Sequence, residues 1–179
     1  MKPYKITVII ILFLNFHLSF AQTKEHYENG QLKSEGKYVD GMKEAEWKYY
    51  YENGQLESTG HYISDSFNSE WKFYYENGQL MGVGYYCMNL MEGEWKKYYK
   101  NGQLTLIGNY KSGKKEGKWI FYYETGQLKG TGFYKNDEED GDWIYYYNNG
   151  KVDKKGQYIN GEKTGKWKYY DENGKLIKT

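Results

Sequence analysis

The sequence has 179 residues, which suits one domain or one short repeat array. One residue in five is aromatic, with 23 tyrosines and six tryptophans against a single proline, and this composition excludes a disordered chain. The 25 basic and 24 acidic residues nearly balance, and arginine is absent. This charge argues against a nucleic-acid-binding protein, because phosphate-binding surfaces need clustered positive charge.

The first 21 residues differ in character from the rest of the chain. Two lysines precede an apolar run over residues 6–20, and the run leads into Ala21. This order is typical of a secretory signal peptide and predicts cleavage between Ala21 and Gln22. The alternative is an uncleaved membrane anchor, which Asn15 and His17 disfavour within so short a run. We therefore expect a secreted or periplasmic protein of the cell envelope, with residues 22–179 as the mature chain and 1–21 as signal peptide.

The mature chain repeats itself every 24 residues without an insertion. Six tryptophans mark the period: Trp47, Trp71, Trp95, Trp119, Trp143 and Trp167. Glycine recurs at the same interval: Gly36, Gly60, Gly84, Gly108, Gly132 and Gly156. A strict period of this length is the signature of a repeat array. We expect about six full units, with half units at the two ends.

Each unit has the sequence of an antiparallel β-hairpin. In KYYYENGQLESTGHY (48–62), aromatic residues lead into Asn-Gly, a favoured two-residue turn, and an alternating segment with Leu, Gly and Tyr follows. Glycine inside the second segment opposes a helix. A second turn, as in KSGKKEG (111–117), joins one hairpin to the next. The predicted fold is all-β: an elongated single antiparallel sheet, a meander of tandem 24-residue hairpins.

Pairing the strands across the Asn-Gly turn sets large residues opposite small ones. The preferred register places Tyr51 opposite Leu56, Tyr49 opposite Ser58, Trp47 opposite Gly60 and Ala45 opposite Tyr62. A bulky ring over a glycine is a known way to fix register. With two central residues in the second turn, Tyr110 faces Gly117, and Trp119 lies over Gly108 on one side and Gly132 on the other. The tryptophans, tyrosines and leucines then share one face.

An alternative register remains open at the Asn-Gly turn. A three-residue Glu-Asn-Gly loop with a glycine bulge would shift the register by one residue and exchange the faces. Thr125 stands where other units have Asn and is a poor fit to a strict type I′ turn. We prefer the first register because it pairs large with small in every repeat. It assigns Lys48, Glu52, Glu57 and the column of Tyr50 to the opposite face.

These residues carry a resemblance to a known family. The unit G-x-W-x-x-Y-Y-x-x-N-G-x-L-x-x-x-G-x-Y-x-x-G, fullest in 93–113 and 165–176, resembles the MORN repeat variant. The tandem arrangement, over about residues 26–179, is similar to the YwqK-family antitoxins. The resemblance implies a sheet of hairpins used for binding, associated with protein assembly and with phospholipid. The unit departs from the pattern at three turn positions that lack glycine and at Lys97, where other units have an aromatic residue: the turn positions are Asp65, Asn89 and Asp137.

A second resemblance leads to a different partner. The segment GKWKYYDENGKL (165–176) is also similar to the aromatic repeats of Gram-positive cell-wall and glucan-binding modules, which implies binding of choline or sugar between rings. Those repeats are usually shorter. The regular 24-residue spacing and the recurrent G-x-Y-x-x-G favour the MORN variant.

No residue pattern predicts an enzyme or a metal site. The mature chain has two histidines, His26 and His61, and neither has a repeated Ser or Asp companion. Its glutamates alternate with lysines at strand spacing, which indicates a solvated face and not a pair of catalytic carboxylates. The single cysteine, Cys87, aligns with Val39 and Ile63 and is expected to play a small apolar role. We predict no catalytic residue, no metal and no cofactor.

Exposed aromatic rings are the predicted binding surface. A single-layer sheet cannot cover both faces, and contiguous exposed aromatic surface commonly marks a binding site. The candidate stripe is Tyr74, Tyr98, Tyr122 and Tyr146, while the tryptophans and the glycine column Gly60, Gly84, Gly108, Gly132 and Gly156 are assigned a structural role.

The predicted function is that of a non-catalytic protein-binding or scaffolding module. The resemblance adds an antitoxin-like or immunity-like role, with another protein as the partner. A cell-wall glycan or choline is the alternative ligand. Membrane lipid is a less favoured partner, since cleavage at Ala21 removes two lysines and leaves a net charge of −1, with little attraction to anionic lipid.

Overall fold

The computed structural model describes residues 22–179, in which fourteen β-strands form one antiparallel sheet in chain order. This confirms the predicted meander of hairpins. The signal peptide predicted over 1–21, with its cleavage site after Ala21, lies outside the described residues. The strands are β1 Gln22–His26, β2 Leu32–Val39, β3 Met42–Tyr50, β4 Leu56–Ile63, β5 Ser66–Tyr74, β6 Leu80–Cys87, β7 Leu90–Tyr98, β8 Leu104–Lys111, β9 Lys114–Tyr122, β10 Leu128–Lys135, β11 Glu138–Tyr146, β12 Val152–Ile159, β13 Glu162–Tyr170 and β14 Leu176–Lys178.

The Asn-Gly loops contain three residues, not two. Tyr51 donates its backbone N–H to the carbonyl of Gln55 at 2.9 Å, and its own carbonyl accepts the N–H of Gly54 at 2.9 Å. Gly54 has a φ of +83°, whereas the asparagine before it does not enter the left-handed region. The predicted two-residue turn is therefore wrong, and Thr125 fits its unit because its position needs no positive φ.

A bulge one residue further on restores the predicted register. Tyr50, and not Tyr51, pairs with Leu56, and Glu57 is the extra residue before Tyr49 pairs with Ser58. The other predicted pairs then hold: Trp47 lies opposite Gly60, and Ala45 lies opposite Tyr62. The loop and the bulge each shift the register by one residue in opposite directions, so the faces are not exchanged.

The two faces are distinct, with two corrections to the prediction. On the tryptophan face, Trp47 contacts Tyr38, Tyr49 and Tyr62. On the other face, called the polar face, lie the Glu46–Lys48 pair and Tyr50, whose hydroxyl donates to Glu35. Leu56 pairs with Tyr50 and so shares the polar face. The predicted register assigns Glu57 to the polar face, but its equivalents Met81 and Thr105 line a groove beside the tryptophans, so this assignment is wrong.

The second turn has two central residues, as predicted, but in a different register. Ser112 and Gly113 have φ values of 50° and 80°, and Lys111 pairs with Lys114. Tyr110 therefore pairs with Lys115 on β9 and not with Gly117, so this predicted pair is wrong. Gly117, with a φ of 72°, lies in a bulge that advances the register before Ile107 pairs with Ile120.

Three units replace the turn glycine with Asp or Asn and gain a hydrogen bond. Asp65, Asn89 and Asp137 have φ values of 62°, 69° and 74°, a region that short polar side chains tolerate. The Oδ1 atom of Asp65 accepts the backbone N–H of Lys43 at 2.7 Å, and Asn89 and Asp137 make the same bond one and three units later. These side chains tie successive hairpins together at the turn.

The tryptophans form the core of the single layer. All six are buried, with exposed fractions of 1 to 6 %. Each indole lies on the glycine of the preceding strand, so that a Cβ at Gly108 would overlap the ring of Trp119. The predicted contact of Trp119 with Gly108 is therefore confirmed, but the predicted contact with Gly132 is wrong. Gly132 pairs with Trp119 in the sheet but lies under the ring of Trp143. Each glycine in this column makes room for one indole.

A column of tyrosines at the loop edge also links the repeats. The hydroxyl of Tyr51 donates to the backbone carbonyl of Tyr74 at 2.7 Å. Five other tyrosines make the same bond to the next unit: Tyr27, Tyr75, Tyr99, Tyr123 and Tyr147. Together with the turn contacts, these bonds tie neighbouring hairpins at both ends of their strands. Among residues 22–179, no helix has the length and apolar character needed to cross a membrane.

Candidate binding surfaces

The predicted tyrosine stripe is a column on the polar face. Tyr74, Tyr98, Tyr122 and Tyr146 end strands β5, β7, β9 and β11 and are half-buried. Their backbone carbonyls accept the hydroxyl bonds of the loop-edge tyrosines. The structure brings the four together as expected, and their role in binding stays a prediction.

Ion pairs occupy the polar face in the first half of the array. Glu70 and Lys72 lie 3.0 Å apart, Glu94 and Lys96 lie 2.6 Å apart, and the Glu46–Lys48 pair is looser. The hydrogen bond and the charge of each glutamate raise the pKa of Lys72 and of Lys96. Such exposed pairs contribute little to stability, but they neutralise the charge of this surface.

The tryptophan face carries a series of stacked rings with one interruption. Ring centroids 6.0 to 6.4 Å apart join Trp47, Tyr49, Trp71, Phe73 and Trp95. A second series follows: Trp119, Phe121, Trp143, Tyr145, Trp167 and Tyr169. Lys97 stands between the two series, at the position that carries Tyr or Phe in the other units.

Burial raises the pKa of several phenols on this face. The hydroxyls of Tyr49 and Tyr62 lie 3.0 Å apart, and burial, followed by this hydrogen bond, raises the pKa of Tyr62. Burial, with a smaller effect from the carboxylate of Glu139, raises the pKa of Tyr134 to about 12. These side chains therefore act as neutral apolar rings with a hydrogen-bonding tip.

Two grooves open on the tryptophan face where its small residues and Lys97 lie. The larger, called the Lys97 groove, has a volume of about 470 Å³, and its lining includes Phe73, Met81, Tyr86, Met91, Trp95 and Lys97. The smaller has a volume of about 230 Å³ and lies beside Phe121 and Gly130. Tyr99 and Thr105 line both. The arrangement can accept apolar groups between aromatic walls.

Nothing in the described part of the chain gathers metal ligands. Within residues 22–179, no three His, Cys, Asp or Glu side chains lie close enough together to hold a metal ion. Cys87 is exposed at the end of β6, where it pairs with Leu90. The equivalent Ile63 is also exposed, so the small apolar role expected of Cys87 stays a prediction and does not involve burial in the core.

Sequence reasoning did not identify the grooves, and of the predicted stripe only Tyr122 is among their lining residues. Met81, Thr105 and Tyr99 were not singled out, because the bulge that turns the first two toward the tryptophan face was not foreseen. One signal was visible: the aromatic pattern fails at Lys97.

Comparison with known proteins identifies the repeat. The model of the MORN repeat variant matches seven segments: 22–40, 43–64, 68–88, 91–112, 115–136, 139–160 and 163–179. The chain belongs to the MORN repeat variant family, whose repeats generally mediate binding or scaffolding. No curated protein matches the sequence.

Solved structures with some likeness to the chain are much larger. A crystal structure of TcdB2-TccC3 is 12 % identical over 87 % of this chain, with a TM-score of 0.25. The complex TcdB2-TccC3-Cdc42 gives 12 % identity over the same share, with a TM-score of 0.24. The chain spans 11 % of the length of each. Likeness at this level bears on neither the fold nor the function of the chain.

Proposed function

We propose that residues 22–179 form a non-catalytic module that binds or assembles other proteins through the tryptophan face. The observation that carries the proposal is the uncovered aromatic surface: all fourteen described strands lie in one sheet, and no second layer of described residues covers the grooves. Half-buried aromatic and methionine side chains of this kind are enriched at protein interfaces.

A glycan is the second candidate ligand, since aromatic walls also suit sugar rings. Apart from the tyrosine hydroxyls, only Lys97 and Thr105 supply polar side chains to the Lys97 groove. A sugar presents many hydroxyls, and each one that is buried without a partner weakens binding. The groove therefore favours a polypeptide with apolar side chains.

A more specific form of the proposal is an antitoxin-like or immunity-like protein, as the resemblance to the YwqK family implies. We also propose that the chain is exported after cleavage between Ala21 and Gln22, and acts in the periplasm or outside the cell. N-terminal sequencing of exported material tests this part. A first residue of Gln22 supports export as a processed protein, whereas Met1 contradicts it.

The test of binding uses immobilised residues 22–179 and an envelope extract. We expect a discrete polypeptide to be retained and to resist elution by choline and oligosaccharides. Specific elution by a carbohydrate, with no polypeptide retained, would overturn the proposal in favour of the glycan. Liposomes of anionic lipid serve as a third arm, and sedimentation with them in a salt-sensitive way would instead indicate membrane binding.

Matched variants show which face binds. Met81→Glu places in the groove a residue that the chain itself has at the equivalent Glu57, so the fold should tolerate it. We expect Met81→Glu to weaken retention of the partner. Tyr98→Ala and Tyr122→Ala test the stripe on the polar face. If only these two variants lose retention of the partner, the binding surface lies on the polar face.

A further inference from the structure

We propose that the Lys97 groove recognises a segment of the partner polypeptide in which an Asp or Glu carboxylate lies next to an apolar side chain. The inference rests on the proposed function, because it names the chemistry of the protein partner. Four observations support the inference. The groove is large, Lys97 is its one charged lining residue, the Lys97 ammonium has no partner among the described residues, and the neighbouring positions are uncharged where other units have charged residues.

The Lys97 groove is the larger of the two because one ring of the stacked series is missing. Lys97 replaces the aromatic residue, and its ladder partner on β6 is Gly82, which has no side chain to fill the space. Trp95 and Phe73 form part of one wall. Two units later the equivalent space lies beside Gly130, with the ring of Tyr145 at the position of Lys97, and it forms the smaller groove of about 230 Å³. Glycine is common to both openings, and the Lys97 groove, which lacks the ring, is about twice as large.

Lys97 supplies the only charge among the residues that line the groove, and no lining residue is acidic. Its side chain is exposed, and within residues 22–179 it makes no hydrogen bond, ion pair or ring contact. The lysines elsewhere on this face are engaged, since Lys43 donates to the hydroxyl of Tyr49 at 2.7 Å and Lys115 lies 4.6 Å from the ring centroid of Tyr134. Lys97 is thus free to pair with a ligand anion.

The surroundings of Lys97 are apolar where other units are charged. Met81 and Thr105 occupy the position of Lys33, Glu57, Lys129 and Asp153. Phe67 and Met91 occupy the position of Lys43 and Lys115. The tryptophan face therefore carries less charge around Lys97 than in other units, and the nearby ammonium of Lys100 is engaged on the ring of Tyr75, 5.8 Å from its centroid. An apolar side chain of the partner can pack on the methionines and rings, while its neighbouring carboxylate reaches Lys97.

A carboxylate is the anion that this geometry favours. Phosphate groups in proteins are usually held by clustered arginine and lysine or by several backbone N–H groups at a helix N-terminus. The described chain has no arginine, and the groove has one lysine on a sheet face. One ammonium matches one carboxylate in charge.

The experiment selects displayed random peptides on residues 22–179 and then measures the binding of the recovered peptides to three variants. Lys97→Gln removes the charge and keeps the opening. Lys97→Tyr restores the aromatic pattern and narrows the opening, as Tyr145 does in the smaller groove. Lys96→Gln is the matched control, since it removes the same charge from the adjacent residue on the polar face. Denaturation of each variant confirms that it folds.

We expect the recovered peptides to share an acidic residue beside an apolar one. Lys97→Gln and Lys97→Tyr should weaken their binding about tenfold or more, whereas Lys96→Gln should leave it unchanged. Binding to the parent chain should also weaken with added salt, and this dependence should shrink in Lys97→Gln.

Each other outcome overturns a defined part of the account. Peptides that bind equally well to the parent and to Lys97→Tyr, or that carry no acidic residue, would overturn this inference and leave protein binding intact. A larger effect of Lys96→Gln than of Lys97→Gln would place recognition on the polar face. Recovery of no peptide, with retention of carbohydrate in the parallel assay, would overturn the proposed function as well.

Discussion

The indole of Trp119 lies on the backbone of Gly108, on the neighbouring strand, at a place where any Cβ would overlap the ring. The same relationship recurs in every unit and explains why glycine has the same 24-residue period as tryptophan. The glycine lets a large ring lie flat on the sheet, where it is buried without a second layer.

We predict that Gly108→Val lowers the midpoint of denaturation more than Gly36→Val does. Both changes force an indole away, at a cost of about 1 to 3 kcal/mol. A terminal unit can unfold alone and leave the rest of the array folded, whereas an inner unit disrupts neighbours on both sides. Gly82→Ser is the control, since Ser34 and Ser58 occupy that column naturally. Equal midpoints for the two valine variants would contradict this account of coupling along the array.

Left-handed residues in the strand bulge provide a second prediction. Ala45 and Ser69 have φ values of 62° and 63° at a position where the four later units have glycine. An alanine in this conformation costs about 1 kcal/mol or more relative to glycine. Ala45→Gly should therefore raise the free energy of unfolding, as measured with urea. Gly93→Ala should lower it, because its Cβ would meet open space and only the backbone strain remains.

We predict that replacing Thr125 with asparagine stabilises the loop that contains it. In five other units the loop asparagine accepts the N–H two residues on, and in four of these its amide donates to the carbonyl of the next loop, as Asn101 does to Glu124 at 2.8 Å. The hydroxyl of Thr125 already bonds to Oδ1 of Asn148 at 2.7 Å, so Thr125→Asn exchanges that bond for both asparagine bonds and should add about 1 kcal/mol to the free energy of unfolding. An unchanged or lower stability would mean that these loop bonds contribute nothing measurable.

Stability should fall at alkaline pH because of the buried phenols. Burial raises the pKa of Tyr134 to about 12, and burial with the hydrogen bond to Glu35 raises the pKa of Tyr50 to about 12. The folded chain thus holds these protons more tightly than the unfolded chain, whose tyrosines titrate near ~10. The stability from this difference is complete below pH ~10 and is lost as the pH rises through about 12. Urea titrations across this range, with Tyr134→Phe as the control, should show a smaller loss in the variant.

The sequence predicted the sheet, the period and the two faces because large residues meet small ones in every unit. It failed at the turns for a physical reason. The glycine loop and the bulge at Glu57 shift the register in opposite directions, so the pairs Trp47–Gly60 and Ala45–Tyr62 are the same with or without them. The pairing of large with small residues away from the turn therefore cannot reveal the three-residue loop and the bulge, because their shifts of register cancel.

The groove could be predicted only in part. The failure of the aromatic pattern at Lys97 is visible in the sequence. The depth of the groove, however, depends on Gly82, which pairs with Lys97 in the sheet. The lining by Met81 and Thr105 depends on the unforeseen bulge. The tyrosine stripe lies on the polar face as predicted, whereas the two grooves with aromatic walls lie on the tryptophan face.

The most direct test of the central claim, that the tryptophan face binds a polypeptide, compares two adjacent lysines. Lys96 and Lys97 follow each other on β7 and lie on opposite faces. The rate at which each lysine is acetylated therefore shows whether a bound partner covers its face. The rates of acetylation are measured with and without the retained polypeptide or a selected peptide. The account predicts that Lys97 is protected while Lys96 reacts as fast as in the free chain. Protection of Lys96 alone, or of neither lysine in a saturated complex, would contradict it.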